Sequence, residues 1–190
     1  MLTFQEDFLS SAKRQFNYYK QLGEKAMAQV NDDQLFVCVN AESNSIAIIV
    51  QHLHGNMLSR WTDFLHSDGE KDWRKRDEEF ETIIKTKEEL LLKWNEGWLC
   101  LLKALDSIQE KDFNQLVYIR NEGHTLVEAI NRQLSHYPYH VGQMIYIAKM
   151  MSENEWHSLS IPKNKSKDYN QKKFADEKHK GHFTDDENNK

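Results

Sequence analysis

The chain has 190 residues and a formal charge of −5, with only seven glycines and two prolines. Average usage would give about 12% of these two residues, so a many-stranded sandwich or barrel, which needs them at its turns, is disfavoured. No apolar run reaches the ~18 residues of a membrane span, the N-terminus MLTFQEDFLSS lacks the apolar stretch of a signal peptide, and the negative balance disfavours nucleic acid, which together predict a cytoplasmic protein with neither partner.

Four segments carry a helical period. In the first, Phe4, Phe8, Ala12, Phe16, Leu22, Ala26 and Val30 form one apolar stripe, since residues three or four apart share a helix face. Thr3 and Glu6 have the spacing of a capping box, Asn31-Asp32-Asp33 is a stop, and 34–43 reads as a loop. The second helix starts at an Asn44 or Ser45 cap, presents Ile46, Ile49, Leu53, Met57, Trp61 and Phe64, and stops at the turn signal Ser67-Asp68-Gly69. The polar stretch GEKDWRKRDEEFE bridges to a third helix, opened by Thr86 with Glu89 and carrying Leu90, Trp94, Trp98, Leu101 and Leu105. DFNQLVYIRNEG reads as an extended link ending at Gly123, and the fourth helix runs from Thr125, with Glu128 three residues on, to about Met151.

Four long helices with one apolar face each predict an all-α four-helix bundle, here with long connections and spanning residues 1–162. Residues 163–190 hold eight lysines and six acidic residues with four apolar side chains. Such a stretch buries too little to offset its ordering entropy, so it reads as a mobile lysine-rich tail.

Of nine histidines, His136 and His140 stand at i,i+4 in LSHYPYHVGQ, a spacing that puts two imidazoles one turn apart on the same side of a helix. The bare spacing fits two hydrogen-bonded core histidines as well as a metal pair, because it lacks the glutamate of an H-E-x-x-H motif. On the second helix, His52 shares a mixed polar stripe with Ser45, Asn56, Ser59 and Asp63, whereas His54 points about 160° away. Pro138 falls between the paired histidines and removes one helical hydrogen bond; a kinked but continuous helix is expected. Cys38 and Cys100 are far apart and show no C-x-x-C spacing, which argues against a disulfide framework or a thiolate site.

NSIAIIVQHLHGNMLSRW followed by INRQLSHYPYHVGQMIYIAK resembles the DinB-like superfamily of four-helix metal-binding proteins over roughly residues 1–165, and DGEK, RDEEFE and WHSLSIPK resemble one bacterial sub-group of it. The resemblance implies a divalent metal on His52, His136 and His140, with Gly142-Gln143 matching the Gly-Gln that follows the pair. It also implies a metal-dependent hydrolase or a transferase of low-molecular-weight thiols acting on a small molecule. Three neutral imidazoles leave positions open for water or substrate; zinc or nickel is expected, and iron or manganese would also fit. Protons are expected to compete for the ligands near pH 6. Asn56, Arg60 and Asp63 extend from His52 along the second helix as candidate catalytic residues, the first two for an anionic substrate and Asp63 for a proton. The alternative from another class is a non-catalytic helical homodimer whose histidines bind metal structurally or a small ligand. Trp73 and Trp156, which lack a core register, would favour such an interface.

Overall fold

The computed structural model describes residues 2–152 and 155–185. Its frame is four helices, α1 (Phe4–Met27), α2 (Ile46–Trp61), α3 (Lys87–Ser107) and α4 (Leu126–Met151), so the predicted all-α class is what the chain adopts. The capping chemistry sets where the helices begin. Thr3 with Glu6 and Thr125 with Glu128 form reciprocal capping boxes, while Ser45 and Thr86 each accept from the backbone N–H three residues on. α4 runs unbroken through Pro138, so His136 and His140 share one helix.

α2 packs mainly on α3, and α1 mainly on α4. The two pairs meet over an aromatic core in which Trp98 lies between Trp94 and Tyr137 at ring-centroid distances of 5.4 and 5.9 Å, and Phe16 stands 5.9 Å from Tyr137. Phe16, Trp94, Trp98 and Tyr137 are all buried, and rings of this size dominate the burial energy of a small core.

The connections depart from the expectation, beginning with a 3₁₀ turn, Asp33–Phe36, in the stretch read as a loop. α2 stops at Trp61, short of Ser67, because Asp63 takes a left-handed backbone (φ 47°) that a helix does not continue through. The link after α3 is a β-hairpin, β1 (Leu116–Ile119) with β2 (Glu122–Thr125), closed by a two-residue turn in which Arg120 and Asn121 both have positive φ. That geometry matches the right-handed twist of paired strands. The Asp68 carboxylate accepts from both turn amides at 2.8 Å, and Gly69 N–H donates to the Tyr118 carbonyl at 2.7 Å. The Ser67-Asp68-Gly69 turn thus docks the hairpin beside the end of α2. The polar stretch before α3 contains a short 3₁₀ turn, Asp77–Phe80, packed against α2.

Within the stretch expected to be a mobile tail, α5 (Ser166–Ala175) has no buried residue. Further on, His182, Phe183 and Asp185 touch Ser11, Tyr18 and Arg14 of α1; residues 186–190 lie outside the described residues. Trp156 is partly buried against the core, whereas Trp73 is exposed. No described helix is long and apolar enough to cross a membrane.

Candidate metal centre

His52 reaches the site from the middle of α2, and His136 and His140 reach it from successive turns of α4. One ligand atom from each lies within 4.8 Å of the others. The His136 Nε2 is 3.4 Å from the His52 Nε2 and 3.1 Å from the His140 Nε2. The outer nitrogens are all braced: His52 Nδ1 on Glu79 at 2.9 Å, His136 Nδ1 on the Gln133 Oε1 at 3.3 Å, and His140 Nδ1 on the Gln143 Oε1 at 2.9 Å.

This bracing decides the protonation pattern. A carboxylate or amide oxygen only accepts, so each Nδ1 carries the hydrogen and each Nε2 presents a lone pair. Three lone pairs then face one another with no proton between them, an arrangement a cation would stabilise. A proton is a poor candidate near neutrality. Burial first, then the neighbouring His140 and His52 and the more distant Arg60 and Arg74, lower the His136 pKa to about 3. Burial and His52 lower that of His140 to about 4 against the opposing bond to Gln143. The group could therefore hold a metal ion, with His136 and His140 both kept well below the ordinary imidazole range.

Glu79 has no periodic signal in the sequence, and its place in the site comes from the 3₁₀ turn that folds back on α2. Its carboxylate takes a two-pronged bond from Arg74, Nε to Oε1 at 2.7 Å and Nη2 to Oε2 at 2.9 Å. Burial would raise its pKa, but the bonds from Arg74 and His52 outweigh that and hold it below the usual range. The close approach depends on Gly55: a Cβ there would stand 2.2 Å from the Glu79 Oε1. Phe80 stacks on the His52 ring, with centroids 5.0 Å apart, and fixes its plane.

The centre opens into a cavity of about 410 Å³ lined by the three histidines, Asn56, Gln133, Tyr139, Phe80 and five arginines. Asn56 and Arg60 of the sequence candidates line it; Asp63 does not, being exposed with its carboxylate 4.0 Å from His66. His54 bonds Glu96 of α3 at 2.8 Å and takes no part. Cys38 is exposed and Cys100 contacts Thr62; neither lines the cavity.

The orientation of the Asn56 amide follows from a relay. An indole N–H only donates, so the Trp61 Nε1 donates to the Tyr137 hydroxyl (2.9 Å), which donates to the Asn56 Oδ1 (3.1 Å). The Asn56 NH₂ is left with no protein partner among the described residues, on a side chain that lines the cavity. Glu79, Arg74, Arg76, Arg120 and Arg132 also belong to the site and carry no periodic signal in the sequence; the RDEEFE stretch that bears the family resemblance supplies the carboxylate behind His52.

Fold and site together define a helical protein with a braced three-histidine cluster that could hold a metal. The chain belongs to a family described as a protein of unknown function, DUF1572, whose model matches residues 3–165. Searches of curated proteins and of solved structures gave no match.

Proposed function

We propose that this protein is a metal-dependent enzyme of the DinB-like type, a hydrolase or a low-molecular-weight thiol transferase, with its metal on His52, His136 and His140. The observation that carries the reading is the convergence of three Nε2 lone pairs, each fixed from behind, at the wall of an open cavity. A closed structural site would use a fourth protein ligand; three ligands beside a cavity leave room for a reactant. Imidazole donors suit zinc and nickel, and iron as well; zinc or nickel is the ion proposed. Bound there, such an ion lowers the pKa of a water or thiol and polarises a substrate oxygen.

The chain's own residues do the rest. Glu79 orients His52 and raises its basicity as a ligand. Gln133 and Gln143 hold the other two rings, and Phe80 restricts the first. Asn56 offers its NH₂ to a substrate oxygen, its orientation held by Tyr137 and Trp61. With no cysteine lining the cavity, a thiol reactant would have to come from solution.

Metal analysis of the purified protein tests this directly. One zinc or nickel per chain, lost in His52→Ala and His140→Ala variants that keep their helical circular dichroism, supports the site. Turnover of an electrophile with a small thiol, or of an ester or amide, by the loaded wild type then supports catalysis. A wild-type protein that is isolated metal-free and takes up neither ion would sink the proposal.

A further inference from the structure

The chain contains six arginines and nineteen lysines, and they are not scattered alike. Arg60, Arg74, Arg76, Arg120 and Arg132 all line the histidine cavity, and among the described residues no lysine does. Among the described residues no acidic side chain lines it either, although the chain as a whole is net negative. Five guanidiniums on one wall repel one another, so their counter-charge is informative.

Glu79 neutralises Arg74 through its two-pronged bond. Glu70 is shared by three of them, at 3.4 Å from Arg60, 3.4 Å from Arg74 and 3.2 Å from Arg120. Among the described residues Arg76 pairs only with Asp77, at 3.9 Å and fully exposed, and Arg132 makes no ion pair. Two buried or half-buried carboxylates therefore serve three of the five cations, an exposed one serves the fourth, and Arg132 is left without a counter-charge among the described residues. Arg60 is itself buried, and although one of its Nη atoms donates to the Gly69 carbonyl, its Nε has no partner. A guanidinium with an unpaired edge suits a carboxylate or phosphate, which it can grip with two parallel hydrogen bonds where an ammonium supplies a point charge.

The helix register says where such a group would sit. His52, Asn56 and Arg60 are successive i,i+4 positions on α2, and Arg132, His136 and His140 are the same on α4. Arg132 thus stands about 6 Å along its helix from the nearer histidine, and Arg60 about 12 Å from His52.

We propose that the substrate of this site carries an oxyanion, carboxylate or phosphate, held by Arg60, Arg120 and Arg132 at the end of the cavity away from the histidines. The assignment rests on the cavity being the reactant site proposed above, and it adds the class of molecule: a small anion whose charged end lies several bonds from the reacting atom.

Calorimetric titration of the metal-free chain at pH 7.5 with succinate, with inorganic phosphate and with uncharged succinamide tests it. Using the metal-free form keeps anion binding to the arginines apart from coordination by an ion. Succinate or phosphate should bind, more weakly as salt rises, and succinamide should not; whichever anion binds tighter names the source. Arg132→Gln, at an exposed position that leaves the core untouched, and Arg60→Met should each weaken binding at least tenfold, while Arg14→Gln, on α1 outside the cavity, should not. Binding of neither anion, equal binding of succinamide, or unchanged affinity in Arg132→Gln would overturn the proposal. The metal assay is separate: a chain that binds anions but no metal refutes the enzyme reading alone, and one that binds metal but no anion refutes this inference alone.

Discussion

Acidification of the metal-free protein should destabilise it steeply, and the histidine pair should be the cause. In the unfolded chain His136 and His140 titrate near 6.5; in the fold their pKa values are pushed down to about 3 and about 4. A group whose folded pKa is depressed binds its proton in the unfolded state first, so its contribution is intact above the unfolded pKa and is lost as pH falls toward the folded one. Each histidine then costs at most about 1.4 kcal/mol per pH unit below 6.5; both rings are only partly buried and each depends on the other, so with solvent screening the pair together costs about 2–4 kcal/mol between pH 7 and pH 5. That is a large share of the roughly 5–15 kcal/mol that holds a domain folded. Urea denaturation in chelator at pH 7, 6 and 5, followed by circular dichroism, measures it. His140→Gln should remove about half of the pH dependence in that window, because carboxylates titrate mostly below it. A stability that falls equally in wild type and in the His136→Gln, His140→Gln double variant would refute the reasoning.

Glu79→Gln removes the charge behind His52, and zinc affinity measured by competition with a chelator should fall about 10–100-fold. Gly55→Ala would normally favour a helix by about 1 kcal/mol. Here the new Cβ displaces the Glu79 carboxylate, so the same competition should again show weaker binding, and unchanged affinity would mean that Glu79 moves aside without consequence. Tyr137→Phe strands the buried Trp61 indole N–H and the Asn56 oxygen, and should cost about 1–3 kcal/mol in urea denaturation.

The parts of this structure governed by local periodicity were legible in the sequence. The helix stripes around Phe16, Leu53 and Trp94 and the caps at Thr3, Ser45, Thr86 and Thr125 are short-range signals, and α4 keeps its register through Pro138. The i,i+4 histidines and the polar stripe carrying His52 follow from the same geometry. What did not follow lies in the connections. The turn at Arg120-Asn121 lacks the glycine that usually marks such a loop, and its backbone is held instead by Asp68, far away in the chain. Glu79 sits in a 3₁₀ turn too short to show a period, and it reaches His52 only because Gly55 opens the surface of α2. The arginines come from α2, the stretch before α3, the hairpin and α4, so their meeting is a property of the fold and of no local segment.

The segregation of the two basic side chains also has a practical consequence. A dicarbonyl reagent that modifies guanidiniums would report mainly on this site, since five of the six arginines line the cavity and the sixth, the exposed Arg14 on α1, gives a separate adduct that serves as an internal reference. Amine reagents, by contrast, could decorate the nineteen lysines and leave the cavity chemically untouched. Peptide mass mapping of arginine adducts, with and without a bound anion, would therefore read occupancy of the site residue by residue before any reaction is known.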